Sequence, residues 1–143
     1  MKRLPRSLAV LGLGLAASSC SQLLTLELTG SLERPEVVIV NQVSGRLGRA
    51  CVKEIEVWND QARTGRAHWS VRAAGERCVR IERIVYGETP TGFIEVVAPA
   101  PLAADIRFSI LAGGWSGGFA NVPWRGGAKM QYGADGWRPT AGS

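Results

Sequence analysis

The pentapeptide Gly114-Trp115-Ser116-Gly117-Gly118 fits GxSxG, the pattern of a hydrolase nucleophile elbow. That chemistry needs Ser116 on a strained strand-to-helix turn, followed in the chain by an acid and then a histidine. The chain has one histidine, His68, and it lies upstream of Ser116. No helical periodicity follows Ser116, so the pentapeptide reads as a Gly-rich hairpin. Glycoside hydrolysis would need two carboxylates held across a sugar. Glu54 and Glu56 share a strand face, while Glu82, Glu88, Glu95 and Asp105 are scattered. All read as solvated outer-face acids. Gly12-Leu13-Gly14 with Ala17 mimics a dinucleotide fingerprint but sits inside an apolar run that serves another purpose. His68 is expected on the solvent side of its strand. The expectation is a protein that is not an enzyme and holds no metal and no cofactor.

The cysteines carry more information. Cys20, Cys51 and Cys78 make an odd count. Met1 to Arg6 carries Lys2, Arg3 and Arg6 without an acid, Leu8 to Ala17 is apolar, and the small residues Ser18 and Ser19 precede Cys20. A charged start, a short apolar core and a small-residue site predict a secretory signal peptide over 1–19. A spanning helix needs about 20 apolar residues, more than this run supplies; a retained anchor helix is the alternative. In an oxidising compartment Cys51 and Cys78 are then expected to pair. Closing that loop restricts the unfolded chain by roughly 3–4 kcal/mol. A metal or redox role is the rival use of these thiols, with no CxxC and a single histidine to support it.

Charge excludes one class of partner. The chain has 17 basic and 12 acidic residues, and without residues 1–19 the balance falls to +2. The arginines from Arg34 to Arg83 are interleaved with acids rather than massed, which argues against nucleic acid. Arg49 to Arg83 leans basic; a solvated sheet face is expected there, with a weak anionic-surface contact as the alternative.

Five tryptophans are many for a domain of this size. Trp69 matches the apolar face of its strand and is expected in the core. Trp58 sits at a strand end beside a polar loop. Trp115, Trp124 and Trp137 stand among glycines in the C-terminal third. Aromatics on loops can bind proteins or sugars, and they can equally seal the end of a sheet. These three form a candidate contact cluster.

The elements behind these residues are strands. Leu24, Leu26 and Leu28 alternate with polar neighbours; Glu36 to Val40 is a continuous apolar run after Pro35. In Ala50 to Trp58, Cys51, Ile55 and Val57 share one face, interrupted by Lys53, and Val52, Glu54, Glu56 and Trp58 the other. Ala67 to Ala73 places Trp69, Val71 and Ala73 on one side. Val79 to Tyr86 changes parity at Arg83, as a bulge or a crossing between sheets would make it do. Phe93 to Val97, Ile106 to Leu111 and Trp115 to Val122 complete the set, with Met130 to Tyr132 as an optional edge and the last residues loosely held. About seven or eight strands with Gly/Pro punctuation predict an all-β antiparallel two-sheet sandwich, with a closed small barrel as runner-up. The expected organisation is a signal at 1–19, attachment cysteine and tether or first strand at 20–34, sandwich at 35–124, and a Gly-rich segment at 125–143.

Two resemblances extend this. LAASSC resembles the lipobox of bacterial lipoproteins, departing from it where Ala17 stands in place of leucine. It implies lipid attachment (a diacylglycerol and palmitate-type acyl chains) at Cys20. Ala17 and Ser19 also satisfy an ordinary signal cleavage at the same bond. The absence of Asp at Ser21 resembles proteins sorted to an outer membrane. Tyr86-Gly87 with Pro90, and Pro101-Leu102 before a strand, resemble segments of small uncharacterised bacterial lipoproteins with immunoglobulin-like or fibronectin-like sandwiches. That resemblance implies a fold and a periplasm-facing envelope location, and supplies no functional residues. The expected function is a membrane-anchored, non-enzymatic interaction module with an envelope protein as partner. The alternative is a carbohydrate- or peptidoglycan-binding module using the loop tryptophans.

Overall fold

The computed structural model describes residues 24–41, 50–115 and 123–141. Cys20, the predicted signal segment and Ser116 lie outside the described residues. Ten strands run in chain order: β1 Leu24–Gly30, β2 Pro35–Asn41, β3 Ala50–Asn59, β4 Trp69–Ala73, β5 Val79–Ile81, β6 Arg83–Val85, β7 Phe93–Val97, β8 Arg107–Trp115, β9 Pro123–Gly133 and β10 Gly136–Pro139. There is no helix among the described residues. A small sheet has the order β1-β2-β6. A large one has the order β10-β9-β8-β3-β4-β7, with β5 paired to one end of β3. Every pairing is antiparallel. The expected two-sheet sandwich is therefore the fold.

The core follows from strand alternation. Leu26 lies opposite Ile39 and Leu28 opposite Val37 in the β1–β2 hairpin, and all four are buried. Facing them from the large sheet are Ile55 and Val57 of β3, Trp69 and Val71 of β4, and Phe108 and Ile110 of β8. Trp69 is 0% exposed, as its place in the apolar alternation requires.

The described residues divide into ten strands, against about seven or eight expected, for two reasons. The parity slip at Arg83 marks a crossing between sheets rather than a bulge. Val79 and Ile81 pair with Val52 and Ala50 in the large sheet, whereas Ile84 pairs with Val37 in the small one. Glu82 sits at the corner, its carbonyl accepting the Ile39 amide at 2.9 Å. Both halves of the slipped pattern can thus face one core. The Gly-rich end is the second reason. β9 is 11 residues long and pairs with β8 on one side and β10 on the other. Two-sided pairing overrides the poor strand propensity of its glycines. The sandwich therefore extends beyond 35–124 in both directions, through β1 and through β9 and β10. β8 itself runs on to Trp115, four residues past Leu111.

β3 corrects one face assignment. Val52 lies opposite Gly114 and Glu54 opposite Gly113, so Lys53 is an extra residue in the register. This bulge reverses the alternation. Ala50 and Val52 join Ile55 and Val57 in the core, and Cys51 turns away with Glu54 and Glu56. Strict period two, which groups Cys51 with Ile55, fails at that one residue. Lys53 is held at the bulge by Nζ, which donates to the carbonyls of Gly75 and Glu76.

Cys51 and Cys78 form a disulfide with their Cα atoms 5.2 Å apart. It bridges 27 positions and reinforces the short β3–β5 pairing. Gly114 sits where β8 crosses closest to β3: a Cβ there would collide with the Cys51 carbonyl oxygen.

Candidate functional site

Two places concentrate aromatic and polar side chains, and they are built differently. The first lies at one end of the sandwich, around the link between β7 and β8. Tyr86 follows β6, and Gly87 after it takes the positive φ of 80° that turns the chain. The Tyr86 hydroxyl donates to the Ala100 carbonyl at 2.6 Å, and its ring packs on Trp69 at 5.0 Å between centroids. Burial pushes the Tyr86 phenol far above the usual tyrosine range. His68 sits immediately before β4, half-buried. Its Nε2 donates to the Pro101 carbonyl at 2.9 Å, since a carbonyl can only accept. Its ring tilts against Phe108 at 5.4 Å, and its backbone carbonyl accepts the Ala100 amide at 3.0 Å. His68 is therefore a half-buried fastener of the Ala98–Leu102 link rather than a residue of an open strand face. The cavity beside it, about 360 Å³, is bordered by Leu32, Glu33, Pro35, Tyr86, Pro101 and Leu102, with Glu33 its one carboxylate.

The second place is the outer face of the large sheet over β3, β8 and β9. Beyond the Lys53 bulge, Glu54, Glu56 and Trp58 point outward on β3. The register sets them in three rungs: Glu54 opposite Gly113 and then Arg125; Glu56 opposite Leu111 and then Gly127; Trp58 opposite Ser109 and then Lys129. Leu111 is 48% exposed at the centre. A Cβ on Gly127 would stand 3.2 Å from Leu111 Cδ2, so the leucine lies across that glycine. The missing side chains open a cleft of about 180 Å³ between Glu54, Glu56, Leu111 and Arg125. A hollow of about 370 Å³ continues it past Leu111 towards Ser109 and Lys129.

The polar groups of this face are partly fixed. Trp58 Nε1 donates to Glu56 Oε2 at 3.0 Å, which orients both. Asp60 accepts from Ser109 Oγ at 2.5 Å and from Arg107 Nε at 3.0 Å, closing the β3–β8 pair at that end. The ion pairs among the described residues are Arg34–Glu88, Arg83–Glu36 and Arg107–Asp60. Neither Glu54 nor Arg125 takes part in one.

The tryptophans of the candidate cluster are not gathered. In the register Trp115 lies opposite Cys51 and Pro123, and Trp124 opposite Gly114. Trp137 lies opposite Tyr132, eight residues along β9 from Trp124. At the rise of a strand that is about 27 Å. The Trp137 ring packs against Tyr132 at 5.2 Å and Phe108 at 6.2 Å, as a wall of the core. Sequence reasoning did not single out Leu111 or Arg125. The signal available for them was Leu111 falling out of phase with Ile106, Phe108 and Ile110. Among the described residues no group of three His, Cys, Asp or Glu side chains could hold a metal ion.

Comparison with protein-family models, with curated proteins and with solved structures finds no match to this chain.

Proposed function

We propose that this chain is a non-enzymatic interaction module, tethered through lipid on Cys20 in a bacterial envelope, with its domain facing the periplasm. Its contact surface is the outer face over β3, β8 and β9. The observation that carries the reading is Leu111, an exposed apolar side chain in the middle of a sheet, flanked by acids on one strand and bases on another. Leu111 borders a cleft between Glu54, Glu56 and Arg125, so the face combines an apolar centre with charges of both signs, as a contact surface does. The disulfide suits an oxidising compartment. The resemblance of LAASSC to a lipobox supports the anchor. His68 is occupied by the Pro101 carbonyl and the Phe108 ring, which favours a binding role over acid–base catalysis.

Two measurements test this. The intact mass of the protein from its membrane fraction is expected to start at Cys20 with added acyl chains; an unmodified Cys20 would remove the anchor. A photo-crosslinker at position 111 in cells is expected to give discrete adducts that the same group at Arg138, exposed on β10, does not. Equal adducts from both positions would remove the contact face.

A carbohydrate- or peptidoglycan-binding role is the second reading, favoured by the Trp58 indole oriented by Glu56 beside the cleft. Binding to cell-wall sacculi that disappears in Trp58→Ala would support it. For Trp115 and Trp124, which lie at the ends of β8 and β9 rather than on loops, the matching variants are Trp115→Ala and Trp124→Ala.

A further inference from the structure

We propose that the outer face over β3, β8 and β9 binds a second copy of this chain, β8 against β8, about a two-fold axis parallel to β8. The proposal rests on the contact-face reading above and names its partner.

The argument comes from the order of chemistry across the sheet. β8 lies between β3 and β9. The outward residues of β3 include Glu54 and Glu56, and those of β9 include Arg125 and Lys129. Acid and base thus stand on opposite sides of a central strand that carries Leu111. A two-fold axis lying along β8 in the contact plane exchanges the positions of β3 and β9 while keeping each rung in place. Glu54 and Arg125 share one rung, separated by Gly113. The rotation therefore sets Glu54 of each copy over Arg125 of the other. Trp58 and Lys129 share another rung, so each indole meets the other copy's ammonium, a cation–π pairing. Between them Leu111 meets Leu111. Glu56 faces Gly127, where no side chain obstructs it. An isologous contact requires such self-complementarity: wherever one residue meets a second, the second meets the first. Parallel placement of the two β8 strands agrees with the aligned packing of sheets face to face.

The Glu54 and Arg125 Cα atoms stand two strand spacings apart, about 9.6 Å. Neither group is in an ion pair among the described residues, so both charges are available to a partner. The opposite apolar exposure on this sheet, Ile94 and Val96 of β7, lacks the feature: it lies on an edge strand whose register is broken at Val96. The patch spans three strands and three rungs, well below the roughly 800 Å² per partner of a standard interface. Association is accordingly weak in dilute solution, micromolar or weaker. It depends on copies being held close together, as a shared membrane would hold them.

The test uses the full chain in its native membranes, with benzoylphenylalanine in place of Leu111 and the crosslinked homodimer quantified by mass. Each Glu54–Arg125 contact occurs twice in a symmetric pair. Glu54→Arg alone and Arg125→Glu alone are therefore each expected to lower homodimer yield by about tenfold. The double variant Glu54→Arg/Arg125→Glu restores the complementarity and is expected to return the yield to within about threefold of the parent. Thermal unfolding of each variant confirms that the fold is retained. Homodimer yield indifferent to the single reversals, or a double variant as poor as the singles, overturns the proposal. Adducts from position 111 to a different protein, with no homodimer, overturn self-association and leave the contact-face reading standing. No adduct at all removes both.

Discussion

The Tyr86 end of the sandwich and the Leu111 face use similar residue types to opposite ends. At the Tyr86 end the aromatic rings are inside: Trp69 is wholly buried and Tyr86 packs on it. The polar atoms there are joined to backbone carbonyls of the Ala98–Leu102 link. At the Leu111 face the apolar side chain is outside, Glu56 lies opposite it, and the opposite charges Glu54 and Arg125 of the next rung lie across a glycine rather than together. Internal partners make the first region a source of stability. At the second, Glu54 and Arg125 take part in no ion pair among the described residues, and in the proposed reading a partner supplies their complement. Substitutions should separate the two: those at the Tyr86 end change folding, and those at the face change contact.

The largest effect is expected from Trp69→Ala. Removing this side chain from the core should destabilise the fold by about 3–5 kcal/mol, measured by chemical unfolding. A loss under about 1 kcal/mol would mean that the interior is not packed around it. The disulfide comes next. Cys51→Ser/Cys78→Ser should cost roughly 3–4 kcal/mol by releasing the unfolded chain, with no effect on crosslinking at position 111 beyond that of lost folded protein.

Tyr86→Phe is smaller. It leaves the Ala100 carbonyl without its donor, at about 1–2 kcal/mol. It also changes the alkaline limb of stability. Burial raises the Tyr86 phenol on folding, so the folded chain keeps this proton at pH values where the unfolded chain releases it. Above about pH 10, the ordinary tyrosine value, the unfolded state binds fewer protons and stability falls as pH rises. The phenylalanine variant should show a shallower decline between pH 10 and 12. An identical slope would mean that the phenol is not sequestered.

Leu111→Asp should do least to the fold, about 1 kcal/mol, because the side chain is exposed and the cost is that of an aspartate in a strand opposite Glu56. It should nonetheless abolish the contact, since it puts a carboxylate on each side of the two-fold axis. A strongly destabilised Leu111→Asp would erase the distinction between the two regions.

Much of the fold was legible in particular residues. Leu26 and Leu28, and Trp69 with Val71, announce their faces by simple alternation. The slip at Arg83 announces that the chain does something unusual there, and only the pairing of β5 and β6 with different sheets shows what. The bulge at Lys53 was less visible. Period two continues plausibly through Cys51, and the extra residue is defined by β8, a strand more than fifty residues away. The same non-local dependence hides β9. Its glycines are poor strand formers in isolation, and only pairing with both neighbours makes them a strand. The proposed contact face suffers most from this. Glu54, Leu111 and Arg125 are unremarkable in sequence and form a pattern only when three strands are in register. The tryptophans were a stronger signal in the sequence, yet Trp137 serves the core and stands far along β9 from Trp124.

The central claim is that the Leu111 face is covered in the membrane while the remaining outer surface is open. Leu111 and Ile94 are 48% and 43% exposed on the same sheet, so in a lone chain they should be equally accessible. The direct measurement is the maleimide labelling rate of Leu111→Cys and of Ile94→Cys in native membranes, each normalised to its rate in dilute solution. Slower labelling at 111 alone, returning to the solution rate when Glu54→Arg is added, is the predicted result. Equal rates at the two positions would contradict the account.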